Sequence, residues 1–283
     1  MKKFVIILVV ITEFVFTISA EPELRFGIFP IYNINTLIDI FYPIALEIET
    51  ETGIKVRIVS APDAGTFRER LLAGSYDIAW SNNAFYLAAS EQKGYRAVIS
   101  GFPEFRGMVI VRADSGIETL SELTGGNILA IGRHSIAGFL FFRNLMADID
   151  LYSPADYSVS FNIDIESMPF HVLQKKYDAA VFSEDTYFRS EIYKNIRKDL
   201  KIIAYSSLIP QFPFILHPDI DSRLESGIQK SILSMNSESE EGLKIRTALN
   251  IEGFRAVTDA DYENFRLLYD QIINYTEPEE LPE

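Results

Sequence analysis

The chain has 283 residues, enough for one large domain or two of ordinary size. Its 48% hydrophobic and 23% charged residues fit a packed globular protein, and a formal net charge of −14 argues against a general binder of nucleic acid or anionic membrane. With no cysteine, the sequence excludes disulfides, thiolate nucleophiles, cysteine zinc sites and a lipid-modified cysteine. Residues 1–20 form a separate unit: Lys2 and Lys3 open it, 4–11 are unbroken apolar, and Thr17, Ser19 and Ala20 offer a small-residue cleavage site. This pattern predicts a secretory signal peptide removed after Ala20. Glu13 interrupts the apolar run, which falls short of the roughly 20 residues of a spanning helix.

Residues 24–30 read as a short strand closed by Pro30. In 35–52, Leu37, Ile38, Phe41, Ile44, Ala45 and Ile48 recur at helical spacing; Pro43 inside them predicts a kink or a late start, and Gly53 a C-cap. A strand at 55–59, a helix at 66–73 and a strand at 76–80 complete a β-α-β-α-β order, the signature of a mostly parallel sheet with helices on its faces. Ligands of such sheets bind beyond the carboxyl ends of strands. The stretch from Trp80 through Ser81, Asn82 and Asn83 to Tyr86 is therefore a candidate wall of a site. Trp80 fits a core position equally well, and Asn82 and Asn83 are equally good turn residues.

Strands follow at 95–99 and 107–112, and the alternation restarts with a strand at 128–131. That strand enters Gly132-Arg133-His134-Ser135-Ile136-Ala137-Gly138, and a periodic apolar helix leaves it through 146. A helix start offers unpaired backbone N–H groups and a positive dipole end, hence a seat for an anion. Here it also carries the Ser135 hydroxyl and two candidate cations, Arg133 and His134. The plainer alternative is that Ser135 merely caps the helix. A strand at 157–161, a helix through Phe170, Val172 and Leu173, and a strand at 177–182 come next. The last resembles 76–80 in type and context, which suggests two lobes of one kind. After a strand at 201–205, Pro210 and Pro213 forbid a helix, so 206–216 reads as an extended crossover. The remainder reads as helical, over 220–236, 238–248 and 259–273, ahead of a Glu/Pro tail.

Taken together, the chain resembles the phosphate/phosphite/phosphonate-binding periplasmic proteins of ABC importers, a branch of the two-lobed solute-binding proteins. The ordered set carrying the likeness runs from Pro30 through Tyr42-Pro43, Pro62-Asp63, Leu71-x-x-Gly74-x-Tyr76-Asp77-Ile78-Ala79-Trp80 and Arg112-x-Asp114-Ser115-Gly116-Ile117. It continues through Ser135-x-x-Gly138, Asp178-Ala179-Ala180, Ile209-Pro210-x-x-Pro213, Gly253-Phe254 and Asp261-Tyr262. The resemblance implies an α/β, type II periplasmic binding fold of two lobes, each a mostly parallel sheet flanked by helices, closing around a ligand like a hinge. Lobe one is expected at 21–111 with 207–283, lobe two at 112–206, and the crossovers near 109–113 and 205–214.

It further implies that Ser135 and the amides of Ile136, Ala137 and Gly138, with Arg133 and His134 beside them, hold the anion. Tyr32, Tyr86 and the turn Ser81, Asn82, Asn83 would face it, and Ser183 and Asp185, within 183–187, would complete the wall. The family's loop usually has a second hydroxyl where this chain has Ala137. Such a lost bond to a charged oxygen weakens binding by about 1.5–3 kcal/mol, roughly one to two decades. The family's Gly-Pro is replaced by Asn82-Asn83, and Asp164-Ile165-Glu166 stands where a histidine is usual. An acidic pair there would repel a phosphate unless the ligand also carries an amine.

The function expected is capture of a small oxyanion in the periplasm, without cofactor or metal, by a monomer that hands it to an ABC permease. A ligand sensor acting on a membrane kinase is the alternative. Enzymatic activity is not expected: His134, His171 and His217 have no ligand spacing, and no Ser/His/Asp order stands out.

Overall fold

The computed structural model describes residues 22–133, 135–162 and 164–273; the expected signal peptide, His134 and the Glu/Pro tail lie outside them. The chain opens with β1 (Glu23–Ile28), α1 (Ile34–Thr52) and β2 (Lys55–Ser60), and continues with α2 (Ala64–Leu72), β3 (Ile78–Trp80), α3 (Asn83–Lys93) and β4 (Arg96–Phe102). In α1 the predicted apolar periodicity becomes a buried face of Leu37, Phe41, Ile44, Ala45 and Ile48, joined by Ile40 where Ile38 was expected; Ile38 is exposed. Asn33 caps the start by accepting the Thr36 N–H, and the helix runs on through Pro43 to Gly53, so no late start occurs.

A second series follows: β5 (Gly107–Arg112), β6 (Asn127–Ala130), α4 (Phe141–Ala147), β7 (Ser158–Phe161), α5 (Met168–Leu173), β8 (Ala179–Ser183), α6 (Glu184–Arg189) and β9 (Leu200–Tyr205). The chain then returns through β10 (Pro213–Leu216), α7 (Ser222–Ser234), α8 (Glu240–Ala248), β11 (Gly253–Ala256) and α9 (Glu263–Ile273). The strand β11, in the gap between the helices expected over 238–248 and 259–273, pairs with β4.

Two sheets result, ordered β11-β4-β10-β3-β1-β2 and β7-β6-β8-β5-β9. Both are mixed rather than mostly parallel. In the first, β2, β1 and β3 are parallel while β10 and β11 run antiparallel to their neighbours. In the second, β7, β6 and β8 are parallel, and β5 is antiparallel to β8 and β9. The first strand after each passage between the sheets, β5 in the second sheet and β10 in the first, runs antiparallel to both of its neighbours.

The strand Gly107–Arg112, expected in lobe one, is thus part of the second sheet. The chain first passes between sheets at 103–106, earlier than 109–113, and returns at 206–212. The two passages are pinned side by side: Phe105 and Ile209 exchange both backbone hydrogen bonds (3.0 and 2.7 Å), and the Ser206 Oγ accepts the Gly107 N–H at 2.9 Å. Buried apolar residues line both faces of each sheet. Among the described residues no helix is long and apolar enough to cross a membrane.

Candidate functional site

A cavity of about 560 Å³ opens between the two sheets, and its lining comes from both. Ile31 and Tyr32 follow β1, Trp80 ends β3, Ile131 follows β6, and Ser183 and Asp185 lie at the β8–α6 junction. These are the carboxyl ends of the parallel strands, the position where open α/β sheets bind ligands. Gln211 and Phe212 of the second crossover, Phe105 of the first, and 249–251 with Phe254 close the remaining sides.

The polar groups in this cavity are few. Asp185 Oδ2 accepts a 2.8 Å hydrogen bond from Asn250 Nδ2, which joins the second lobe to the first across the opening. Asn250 holds this position with φ of 57°, a left-handed conformation that asparagine tolerates better than most residues. Partial burial and the Asp185 carboxylate push the Tyr32 phenol above its ordinary range. Among the described residues, no lysine, arginine or histidine lines it. Asp164 and Glu166 are exposed, and Ile165 between them reaches the cavity, so the acidic pair does not line the site.

The loop after β6 is built differently from an ordinary helix start. Ser135 Oγ accepts the Gly138 N–H at 3.0 Å, the cap expected of a serine there. The backbone then makes a wide turn over Ile136–Leu140, in which the Leu140 N–H reaches back to the Ser135 carbonyl and the Phe141 N–H to that of Ile136, before α4 begins. Such five-residue turns are rare and recur at functional sites. The turn fits because Gly138 carries no side chain: a Cβ there would lie 2.6 Å from Ser135 Oγ and 2.7 Å from Ile131 Cβ. Gly107 supports the turn from below, since a Cβ at 107 would sit 2.3 Å from the Phe141 ring and 2.6 Å from the Ala137 carbonyl oxygen. Ile136 and Ala137 join an apolar cluster with Phe85, Phe105 and Ile209, so the turn presses on the first lobe and the crossovers.

The expected site residues therefore separate into three groups. Tyr32, Ser183 and Asp185 line the cavity, as does Trp80. The turn from 135 to 138 stands beside the cavity, sharing Ile131 and Phe105 with its wall. Within it the Gly138 amide is already engaged by Ser135, and Ala137 and Gly138 are buried, which leaves Ser135 and Ile136 as its accessible part. Arg133 is exposed and lies over the Phe161 ring, 5.1 Å from its centroid, away from the cavity.

The remaining candidates are structural. Ser81 is fully buried with its hydroxyl on the Asn82 carbonyl; Asn82 caps α3 by accepting the Phe85 N–H; buried Asn83 donates to the Pro210 carbonyl at 2.7 Å. Tyr86 is fully buried, donates to Asp259 Oδ1 at 2.6 Å and meets Tyr262 edge to face. Burial and Asp259 together push its phenol far up. These four residues tie α3 to the second crossover and to the segment before α9, and none faces the cavity.

Sequence reading missed Phe105, Phe212 and Asn250. The aromatic character of both crossovers is a usable signal; the left-handed turn that presents Asn250 leaves none. Among the described residues no group of three or more His, Asp or Glu could hold a metal ion.

A family model described as "ABC transporter, phosphonate, periplasmic substrate-binding protein" matches residues 26–262. The phosphonates-binding periplasmic protein of Escherichia coli (strain K12) is 24% identical over 258 residues, covering 88% of this chain and 76% of that protein. The phosphate-import protein PhnD of Mycolicibacterium smegmatis is 26% identical over 281 residues, covering 90% and 87%. In structure, the binding protein component of an ABC phosphonate transporter from Pseudomonas aeruginosa superposes with a TM-score of 0.64 at 20% identity, covering 90% of this chain and 87% of its own. With most of its length matched by that model and its two lobes arranged as in that structure, the chain belongs to the periplasmic substrate-binding proteins of ABC phosphonate transporters.

Proposed function

We propose that this chain captures a small phosphoryl-type oxyanion in the periplasm, as a monomer without catalytic activity, and delivers it to an ABC permease. Export would follow cleavage of the signal peptide after Ala20. The observation that carries the reading is the placement of the wide turn at 135–140: it opens a helix at the carboxyl end of β6, at the edge of a cavity shared by both lobes. A helix start there supplies backbone N–H donors and a positive dipole end to an anion, with no cation required. Ser135 and the Ile136 amide are the proposed contacts, and Tyr32, Ser183 and Asp185 face the rest of the ligand. No observation favours the sensing alternative.

Calorimetry of the refolded, ligand-stripped protein tests this against phosphate, phosphite, methylphosphonate and aminoalkylphosphonates. At least one is expected to bind with a Kd in the micromolar range or below, corresponding to about −8 kcal/mol or better. Failure of all of them to bind below millimolar concentration overturns the reading.

A further inference from the structure

The last helix, α9, follows β11, which belongs to the first sheet, yet its neighbours come from both lobes. It packs against α3 in the first lobe and against α4 in the second. Phe265, fully buried, shares one apolar cluster with Tyr86 and Tyr262, with Phe105 and Ile209 of the two crossovers, and with Ile136 and Ala137 of the wide turn. The helix thus runs beside the hinge rather than on the back of one lobe.

Its two ends are held by different lobes. Just ahead of its first turn, Asp259 accepts the Tyr86 hydroxyl at 2.6 Å and the Arg266 Nη2–H at 3.1 Å, which ties that end to α3. At the other end Arg143 Nη2, on α4, donates to the Ile272 carbonyl at 2.9 Å, and Ile272 is buried. Ile272 lies in the last turn of α9, where carbonyls have no partner within the helix and the dipole end is negative. A guanidinium suits that position, because it is always charged and its hydrogen bonds are charge-assisted. Arg143 lies outside the cavity lining and stands in the first turn of α4, directly after the wide turn.

We propose that α9 is a strap across the hinge: fastened to the first lobe at its start and to Arg143 at its end, it holds the turn at 135–140 in the arrangement that binds ligand. Arg143 is a positioning residue for that turn, acting through α4. The ligand part of this proposal rests on the oxyanion reading above; the strap itself does not. In the same arrangement Asn250 donates to Asp185 across the cavity, so the lobes are joined at the strap and over the ligand space together. Releasing the strap lowers the population of that arrangement, and the apparent affinity falls by the same fraction.

Because the chain has no cysteine, spin labels at Arg68→Cys and Lys176→Cys, exposed positions on the first and second lobes, report the distance between lobes in the mature, ligand-stripped protein. Arg143→Met keeps an aliphatic stem and removes the charged donor; Arg143→Gln is a second variant with a neutral donor in its place. In both, the interlobe distances are expected to broaden without ligand. Calorimetry against phosphate, phosphite, methylphosphonate and aminoethylphosphonate should show the tightest binder weakened about fivefold. Arg143→Lys, which keeps a charged donor for the carbonyl, should restore the narrow distances and bring the affinity to within about twofold of wild type.

Unchanged distances in folded Arg143→Met and Arg143→Gln proteins overturn the strap and leave the oxyanion reading standing. Broadened distances with unaltered affinity overturn its connection to the turn. Failure of Arg143→Lys to restore the distances overturns Arg143 as a charged anchor, and loss of folding in both other variants shows that it serves stability instead of position. If the wild type binds none of the four probes, the oxyanion reading falls, while the distances still decide the strap.

Discussion

The two lobes are built on one plan, and their corresponding junctions do different things. In the first lobe β1 sits between β2 and β3, beyond which lie β10 and β4; in the second β6 sits between β7 and β8, beyond which lie β5 and β9. One small detail is repeated in both. The Arg25 N–H donates to Asp77 and the Asp77 N–H returns to the Arg25 carbonyl, and Asn127 and Asp178 exchange the same pair of bonds. By this correspondence the loop after β1, capped by Asn33, matches the loop after β6, capped by Ser135. After Asn33 a regular helix begins at once and runs for 19 residues. After Ser135 the backbone widens over five residues before α4 starts. The β1 loop brings Ile31 and Tyr32 to the cavity, whereas the β6 loop brings Ile131 and sets its wide turn beside it. Equivalent positions have thus specialised, one in side-chain contact and the other in backbone geometry.

The largest test of that contrast removes the space the wide turn occupies. In Gly107→Ala the new methyl meets the Phe141 ring and the Ala137 carbonyl, and in Gly138→Ala it meets Ser135 Oγ and Ile131, all inside 3 Å. Each substitution is expected to cost about 1–3 kcal/mol of stability through overpacking, readable as a lowered urea midpoint. Both should also weaken ligand binding, Gly138→Ala because it pushes Ile131 toward the cavity and breaks the Ser135 cap. Unchanged affinity in a folded Gly138→Ala protein would detach the turn from the binding site.

A finer test exchanges the two caps. Asn33→Ala and Ser135→Ala each remove one side-chain acceptor from a helix start, so both should cost about 1 kcal/mol in unfolding free energy. Only Ser135→Ala should reach the ligand. Loss of a hydroxyl bond to a charged oxygen is worth about 1.5–3 kcal/mol, roughly ten- to 150-fold in Kd by calorimetry. Equal affinities in the two variants would reduce Ser135 to the cap it also is.

Much of the architecture was legible because it rests on local signals. The apolar spacing of 37–48 with Gly53 gave α1, and the matched runs at 76–80 and 177–182 correspond to β3 and β8, which hold equivalent places in their sheets. Strand direction and sheet membership were not legible. Whether Gly107–Arg112 joins the first or the second sheet depends on where the chain crosses, and alternation of side chains carries no information about that. The short strand Gly253–Ala256 was hidden for a related reason: its partner β4 lies some 150 residues earlier, and four residues give too little pattern to read.

At the site, Tyr32, Trp80, Ser183 and Asp185 could be placed because strand ends mark cavities. Tyr86 and the Ser81–Asn83 turn obeyed the same rule yet face inward. The reason is specific: Asp259 and the Pro210 carbonyl, both far away in sequence, claim the Tyr86 hydroxyl and the Asn83 amide.

The smallest test concerns the repeated strand pair itself, where the lobes differ by one charge. Arg25 adds two guanidinium bonds to Asp77, at 2.9 and 3.0 Å, that Asn127 cannot make to Asp178. Burial on its own raises the Asp77 carboxyl, but the Arg25 side chain and amide overcome it and hold it below the ordinary carboxylate range. A carboxyl depressed in the folded state stabilises the protein at pH values above its unfolded pKa, and that increment disappears as pH falls through the folded value. Arg25→Asn would give the first lobe the arrangement of the second. Because the Arg25 and Asp77 side chains are 40% and 21% exposed, solvent screening limits the loss at pH 7 to about 0.2–1 kcal/mol. Thermal melts from pH 7 down to pH 3 should show the gap between wild type and variant closing as the solution becomes more acidic. A gap that stays constant would mean that Arg25 acts by packing its aliphatic stem rather than through its charge, and that the lobes differ here in shape alone.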